Sequence, residues 1–227
     1  AMLLSAGLPL PKAIYVHGFI TVEGEKMSKT VGNIINPFAL IEKYGVEPMR
    51  YFLLREIPST EDGDFSYKKL EERHNGDLAN GLGNLVQRVA TLVETKMDNE
   101  LIYNSALVEE EVKNKSAEAG DMVKKYIESF SLHESLSSLW SLVSYANRYI
   151  DDKKPWAAIK YDEKEFLVIM TNLVYLIHSV AGLLQPFLPV TAQKINEIFG
   201  DDLSFRQNPD KYHFHIKKTQ PLFPRLQ

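Results

Sequence analysis

Cysteine is absent from the 227 residues. That excludes disulfides and any thiolate-based zinc site, and it fits a reducing compartment. A basic surplus is absent too: 26 Lys and Arg stand against 30 Asp and Glu, for a net charge of -4. Charge alone therefore argues against a nucleic-acid partner, and only a local patch could supply one. No apolar run is read as membrane-spanning, because Gln185 and Pro186 close the longest candidate. Ala1-Met2-Leu3-Leu4 has no basic n-region and no cleavage site, so it is not read as a signal peptide. The chain opens in mid-pattern without a helix cap and reads as a cut through a longer protein. It holds neither an internal repeat nor a low-complexity segment. A glycine loop of the phosphate-cradling kind is also missing, which counts against a stand-alone ATPase.

An ordinary apolar fraction of 44% is present, enough for a core, in one large domain or two small ones. Lys26-Met27-Ser28-Lys29-Thr30 stands out. Two ammonium groups around a hydroxyl match the phosphate oxygens of a nucleotide that leaves as pyrophosphate. Lysine suits a moving loop, being a point charge on a flexible stem. A bare K-x-x-K is ordinarily a solvated turn, but chance would produce the full string only on the order of once in ten thousand chains of this length.

Along the chain, residues 13–22 are β-branched and aromatic around Gly18 and read as one or two strands bent at the glycine. His17 there is either a packed strand histidine or a site residue. Asn36-Pro37 caps and opens a helix with Phe38, Ile41 and Tyr44 on its apolar side, closed by Gly45; Pro48 opens a second through Met49, Phe52 and Leu53. Glu61-Asp62-Gly63-Asp64 reads as an acidic turn without the spacing of a calcium loop. From Ser66 long amphipathic helices take over, so a domain boundary is expected between 1–65 and 66–227.

The first long helix is expected to run to about Met97. Leu78, Leu82, Leu85 and Val89 form its apolar stripe, while Asn80, Asn84 and Arg88 form a polar ridge about 120–140° away. The ridge is either a solvated face or a surface that reads bases, since Asn pairs with base edges and Arg stacks or grips phosphate. A second helix spans about 108–130. Ser131-Leu132-His133-Glu134 reads as a capping box for a third, which buries Leu136, Leu139, Trp140, Val143, Ala146 and Ile150. Pro155 then breaks the helix and presents Trp156 beside Lys153 and Lys154, which either covers a helix joint or offers a ring to an unpaired base. Asp162 and Glu165 cap a fourth long helix with His178 in its core, and a last helix ends at Gly200. The tail reads as mostly irregular. His213 and His215 alternate about Phe214 as in a strand, with no third ligand in view for a metal.

The lysine string resembles the signature loop of class I aminoacyl-tRNA synthetases. Its context, Leu8-Pro9-Leu10-Pro11-Lys12, His17-Gly18, Val22-Glu23-Gly24-Glu25 and Val31-Gly32-Asn33, resembles the bacterial methionyl-tRNA synthetase family. Thr30 stands where that family usually has Ser. The resemblance extends over essentially the whole chain, and Pro221-Leu222-Phe223-Pro224-Arg225 resembles the end of the family's common core. It implies a mainly α fold: an anticodon-binding helix bundle preceded by a small α/β stem-contact segment carrying the loop. It further implies catalytic Lys26, Ser28 and Lys29; an ATP site of Lys26, Met27, Ser28, Lys29, Thr30, His17 and Gly18; and anticodon contacts from Asn80, Asn84, Arg88, Pro155 and Trp156. ATP with Mg2+, methionine and tRNA-Met would be the partners, with no metal site in this segment, no membrane, and a cytoplasmic setting. The family's His-Ile-Gly-His type signature and its methionine pocket are missing, so a C-terminal fragment is expected, inactive alone. A helical protein-interaction module without an RNA role is the rival expectation; it leaves the lysine loop without a purpose.

Overall fold

The computed structural model describes residues 1–30, 32–200, 212–216 and 220–226, without the side chains of 101, 102 and 212–215. The chain opens with a turn of helix, α1 (Met2–Ser5), and an extended stretch. Strand β1 (Ile20–Val22) pairs antiparallel with β2 (Glu25–Lys26) and parallel with β3 (Gly63–Phe65). Between them lie α2 (Pro37–Tyr44) and α3 (Val46–Glu56). Thr21 faces Lys26 on one side and Asp64 on the other, so β1 is the centre of this small sheet.

Asn36 caps α2 by accepting the Phe38 N–H at 3.0 Å, and Gly45 ends it at φ +90°. The apolar side differs from the expected one. Leu40 and Tyr44 are buried, whereas Phe38 is 79% exposed and Ile41 is exposed. With Leu40 turned inward, Phe38 lies two positions away, on the far side of the helix. Helix α3 starts two residues before Pro48, which sits in the first turn where its missing N–H costs nothing. The acidic turn at 61–64 also differs: Gly63 and Asp64 enter strand β3, and only Glu61 and Asp62 precede it. Residues 13–19 do not pair as a strand.

The bundle begins with one continuous run: α4 (Tyr67–Arg73), a ten-residue π segment (His74–Gly83) and α5 (Asn84–Lys96). A uniform α-helix was the expectation here. The π turn is wider, and the N–H of Asn84 reaches the Ala79 carbonyl five residues back. Gly83 eases this, since a Cβ there would make a tight 3.1 Å contact with the Leu78 carbonyl oxygen. Two side chains pin the segment from α7 (Leu132–Lys153). Trp140 Nε1 donates to the Asp77 carbonyl at 3.3 Å and Asn147 Nδ2 to the Gly81 carbonyl at 3.1 Å. Leu78, Leu82, Leu85 and Val89 are buried as the pattern required.

After β4 (Glu100–Tyr103) come a 3-10 turn (Ser105–Leu107), α6 (Glu110–Glu128) and α7. A short α8 (Pro155–Ala158) leads to α9 (Glu163–Leu184) and α10 (Pro189–Phe199). Strand β5 (Tyr212–His215) returns antiparallel to β4, with Tyr103 opposite Tyr212. The strand expected around His213 and His215 is therefore there, while their side chains and the tail at 201–211 lie outside the described residues. Ser131 makes no side-chain cap bond, so the capping box at α7 does not form; Glu134 lies 3.4 Å from the His133 Nε2 instead. Asp162 does cap α9, accepting from the N–H groups of Lys164 and Glu165. Helix α9, 22 residues with an 18-residue stretch of mean hydropathy 1.9, is long and apolar enough to cross a membrane, contrary to the expectation that no stretch is. In the fold it is the central core helix, with His178 buried along it.

The apolar core falls into two clusters. Val22, Leu40, Tyr44, Met49, Phe52, Phe65 and Leu70 form the small one around the sheet, and the large one fills the bundle. Helix α3 serves both, since Tyr51 points into the large cluster. It also docks the sheet segment onto the bundle through polar contacts. Arg50 donates to the Phe187 and Pro186 carbonyls at 2.6 and 3.1 Å. Glu47 accepts the N–H groups of Val190 and Thr191 at 2.7 and 2.8 Å, a carboxylate capping the positive end of α10.

Candidate functional site: a lysine loop and a polar-aromatic surface

The loop begins where β2 ends. Lys26 pairs with Thr21 through the backbone, and Lys26, Lys29 and Thr30 are exposed, with Ser28 half-buried beneath them. Gly32, at φ +78°, donates to the Ser28 carbonyl at 3.0 Å and turns the chain back. The Asn33 side chain then grips the loop from within. It accepts the Ser28 N–H at 2.8 Å and donates to the Lys26 carbonyl at 3.1 Å. Upstream, Gly18 lies against the backbone of Glu61, where a Cβ would come 2.1 Å from the carbonyl oxygen, so only glycine fits. His17 is exposed, and its Nδ1 is 2.7 Å from the Gly18 carbonyl oxygen. That contact is to the backbone of the next residue.

Asp64 holds the turn before the loop. Its Oδ1 accepts the Gly24 N–H and the Thr21 hydroxyl, both at 2.7 Å. The Gly24 bond first, then the Thr21 bond, hold the Asp64 carboxyl below its usual range. Because its folded pKa is depressed, its contribution is complete above the ordinary carboxylate value and is lost as pH falls through the lowered one. The Gly24 amide resonance should therefore titrate below pH 3.8, the value for an unperturbed Asp. A midpoint at or above 3.8 would show that the turn is held otherwise.

The second surface lies at the junction of the π segment, α5 and α8. Asn80 and Asn84 are exposed, and they line a groove of about 390 Å³ with Gln87, Phe223 and Arg225. Asn80 is engaged in it, since Arg225 Nε donates to its Oδ1 at 2.8 Å. One turn beyond Asn84, the Arg88 guanidinium lies 5.6 Å from the centre of the Trp156 ring and 2.6 Å from the Asp151 carboxylate. Trp156 is 42% exposed while its neighbour Pro155 is buried as the first residue of α8. Lys154 makes the corner in the left-handed conformation, φ +46°. So the break at proline leaves the indole half-exposed beside Arg88 of the polar ridge.

The two flanking lysines differ from expectation. Lys153 turns away to Glu109 at 3.1 Å, an acid that also accepts the Tyr149 hydroxyl, so only Lys154 remains exposed beside the indole. Trp140 is core, tilted against Tyr51 at a centroid distance of 4.4 Å. Sequence reasoning missed Asp151, Asn33 and Arg225 as site residues. Asp151 had a signal, an acid one turn before the proline break. Arg225 had none, being 145 residues from Asn80. Among the described residues no cluster of three His, Asp or Glu could hold a metal.

A lysine loop on a small sheet segment, docked through α3 onto a helix bundle, has the architecture of a class I aminoacyl-tRNA synthetase. The family model for "tRNA synthetases class I (M)" matches residues 1–90, and that for "Anticodon binding domain of methionyl tRNA ligase" matches 103–220. The chain belongs to the methionyl-tRNA synthetase family. It is 38% identical over 236 residues to the methionine–tRNA ligase of Caldanaerobacter subterraneus subsp. tengcongensis, spanning 100% of this chain and 37% of that protein. It is 36% identical over 233 residues to that of Brucella melitensis, spanning 99% and 45%. The Mycobacterium tuberculosis methionyl-tRNA synthetase, solved in complex with methionyl-adenylate, superposes with a TM-score of 0.85 at 32% identity over 98% of this chain and 46% of that one. The chain thus spans less than half the length of these relatives. The rival reading, a helical interaction module, is not favoured by these matches.

Proposed function

We propose that this chain is the C-terminal part of a methionine–tRNA ligase, contributing the lysine loop to the ATP site and the bundle to anticodon recognition, with the division falling near 65/66. The parent would join methionine to tRNA-Met in two steps, adenylate formation from ATP and transfer to the tRNA 3′ end, in the cytoplasm. Lys26 and Lys29 would stabilise the triphosphate as pyrophosphate departs, with Ser28 assisting and Met27, Thr30, His17 and Gly18 lining the nucleotide. Their exposure on a loop with a fixed foot supports this, since the charges are available and their base is not floppy. Mg2+ would come with the ATP phosphates. Asn80, Asn84, Arg88, Pro155 and Trp156 would hold unstacked anticodon bases.

The single observation that carries the RNA reading is the placement of Arg88 over Trp156, 5.6 Å from the ring centre and one turn from exposed Asn84. A cation beside an exposed aromatic face is the arrangement that stacks a base and neutralises its phosphate. The chain should bind tRNA-Met in a salt-sensitive way and bind the same tRNA with a replaced anticodon less well. Equal binding of both would remove the anticodon assignment. The chain alone should show no aminoacylation of tRNA-Met; a charged product would overturn the division of labour proposed here.

A further inference from the structure

We infer that Asn33 is the positioning residue of the lysine loop, an inference that rests on reading that loop as phosphate-binding. Its side-chain amide joins two backbone groups that no strand pairing joins: the Lys26 carbonyl, at 3.1 Å from Nδ2, and the Ser28 N–H, at 2.8 Å from Oδ1. One charge sits on the first anchor and the other just past the second, and Lys26 and Lys29 are exposed while Ser28 and Asn33 are half-buried. The other bonds within the loop are shorter in reach. Gly32 N–H meets the Ser28 carbonyl, and Thr30 N–H meets the Ser28 Oγ at 3.3 Å. Both converge on Ser28, so whatever fixes Ser28 fixes the loop, and Asn33 is what ties Ser28 to the sheet side at Lys26.

The chemistry needed is narrow. One group must accept from an N–H and donate to a carbonyl at the same time, as a peptide unit does. An amide does both, a carboxylate only accepts, and alanine does neither. Lysine stems are long and flexible, so their ammonium groups are placed only as well as the backbone beneath them. Asn33 touches no substrate in this account; it sets where Lys26 and Lys29 present their charge.

The test compares Asn33→Ala and Asn33→Asp in the full-length ligase with Lys29→Ala and with Asn36→Ala, which removes the neighbouring helix cap and leaves the loop alone. In ATP–pyrophosphate exchange Asn33→Ala should lower kcat about tenfold or more and move the methionine KM by less than about twofold, since the contacts it places form chiefly in the transition state. Asn33→Asp should fall at least as far, having lost the donor to Lys26 and gained a charge beside the lysines. Asn36→Ala should stay within about twofold of the parent on the same argument. If Lys29→Ala is impaired and Asn33→Ala is not, the positioning role is wrong and the loop reading stands. If Lys29→Ala exchanges normally, the loop reading itself is wrong. Hydrogen exchange on the chain gives a readout apart from activity: Asn33→Ala should unprotect the Ser28 amide while the β1 amides keep their rates. An unchanged Ser28 amide would overturn the inference. Should Asn33→Ala loosen the whole segment, Asn33→Asp, which keeps the acceptor for Ser28, should leave that amide protected and still lose exchange activity, and full activity in it would overturn the inference.

Discussion

Replacing Lys29 by alanine should raise the barrier to adenylate formation in the full-length ligase by about 2–4 kcal/mol, roughly thirtyfold to a thousandfold in rate, as the loss of one oxyanion donor does. Negative charge gathers on the leaving pyrophosphate as its bond to the adenylate phosphorus breaks. A cation that meets that charge only as it develops lowers the barrier without tightening the ground state. Lys29 suits this work because it is exposed on a loop whose foot is tied at Ser28, so only its stem must be ordered. The kcat of ATP–pyrophosphate exchange should therefore fall far more than the methionine KM changes. Arginine should rescue it incompletely, because the planar fork wants two acceptors in a fixed plane where the ammonium needs one. Unimpaired exchange by Lys29→Ala would contradict the assignment.

Trp156→Ala should weaken binding of tRNA-Met by roughly 1–3 kcal/mol, the usual worth of one aromatic–base stack. The ring stands outside both apolar clusters and is 42% exposed, so its removal opens no core cavity. Thermal unfolding should be little changed, which separates this loss from misfolding. Trp156→Phe should retain part of the affinity through a smaller face. Arg88→Ala and Trp156→Ala together should cost less than the sum of the two alone, because the guanidinium and the ring are in contact and would serve one base. Additive losses would mean that the two side chains act on separate parts of the RNA.

Much of the bundle could be read from periodicity. The buried stripe of Leu78, Leu82, Leu85 and Val89, the core positions of Trp140 and His178, and the caps at Asn36 and Asp162 all appear as their spacing required. Other features did not. The π segment is invisible to a fixed helical period, because it depends on partners 63 and 66 residues away, Trp140 and Asn147, that hold its carbonyls. Strand β3 looked like a turn because Asp62 and Asp64 are polar; they face backbone donors of residues 19 and 24 that sequence order cannot bring near. On α2 the apolar residues outnumber the buried ones, so spacing alone could not tell Leu40 from Phe38.

The site was legible in its residue types and less so in its wiring. Asn84, Arg88 and Trp156 were named from spacing and resemblance, and the meeting of Arg88 with Trp156 needed the corner at Lys154 and Pro155 to be set by the fold. Asp151 on Arg88 and Arg225 on Asn80 came only with the structure. Both contacts show that the ridge is partly engaged with the protein itself, and RNA would have to compete with or extend these contacts.

Tryptophan fluorescence decides whether the exposed indole takes part in anticodon recognition, because the chain has two tryptophans and only Trp156 is well exposed. The chain is titrated with an RNA stem-loop bearing the methionine anticodon and with one whose loop is scrambled. Quenching is expected with the first, little with the second, and none with either in Trp156→Phe. Equal quenching by both loops, or a silent indole with the methionine anticodon, would contradict it.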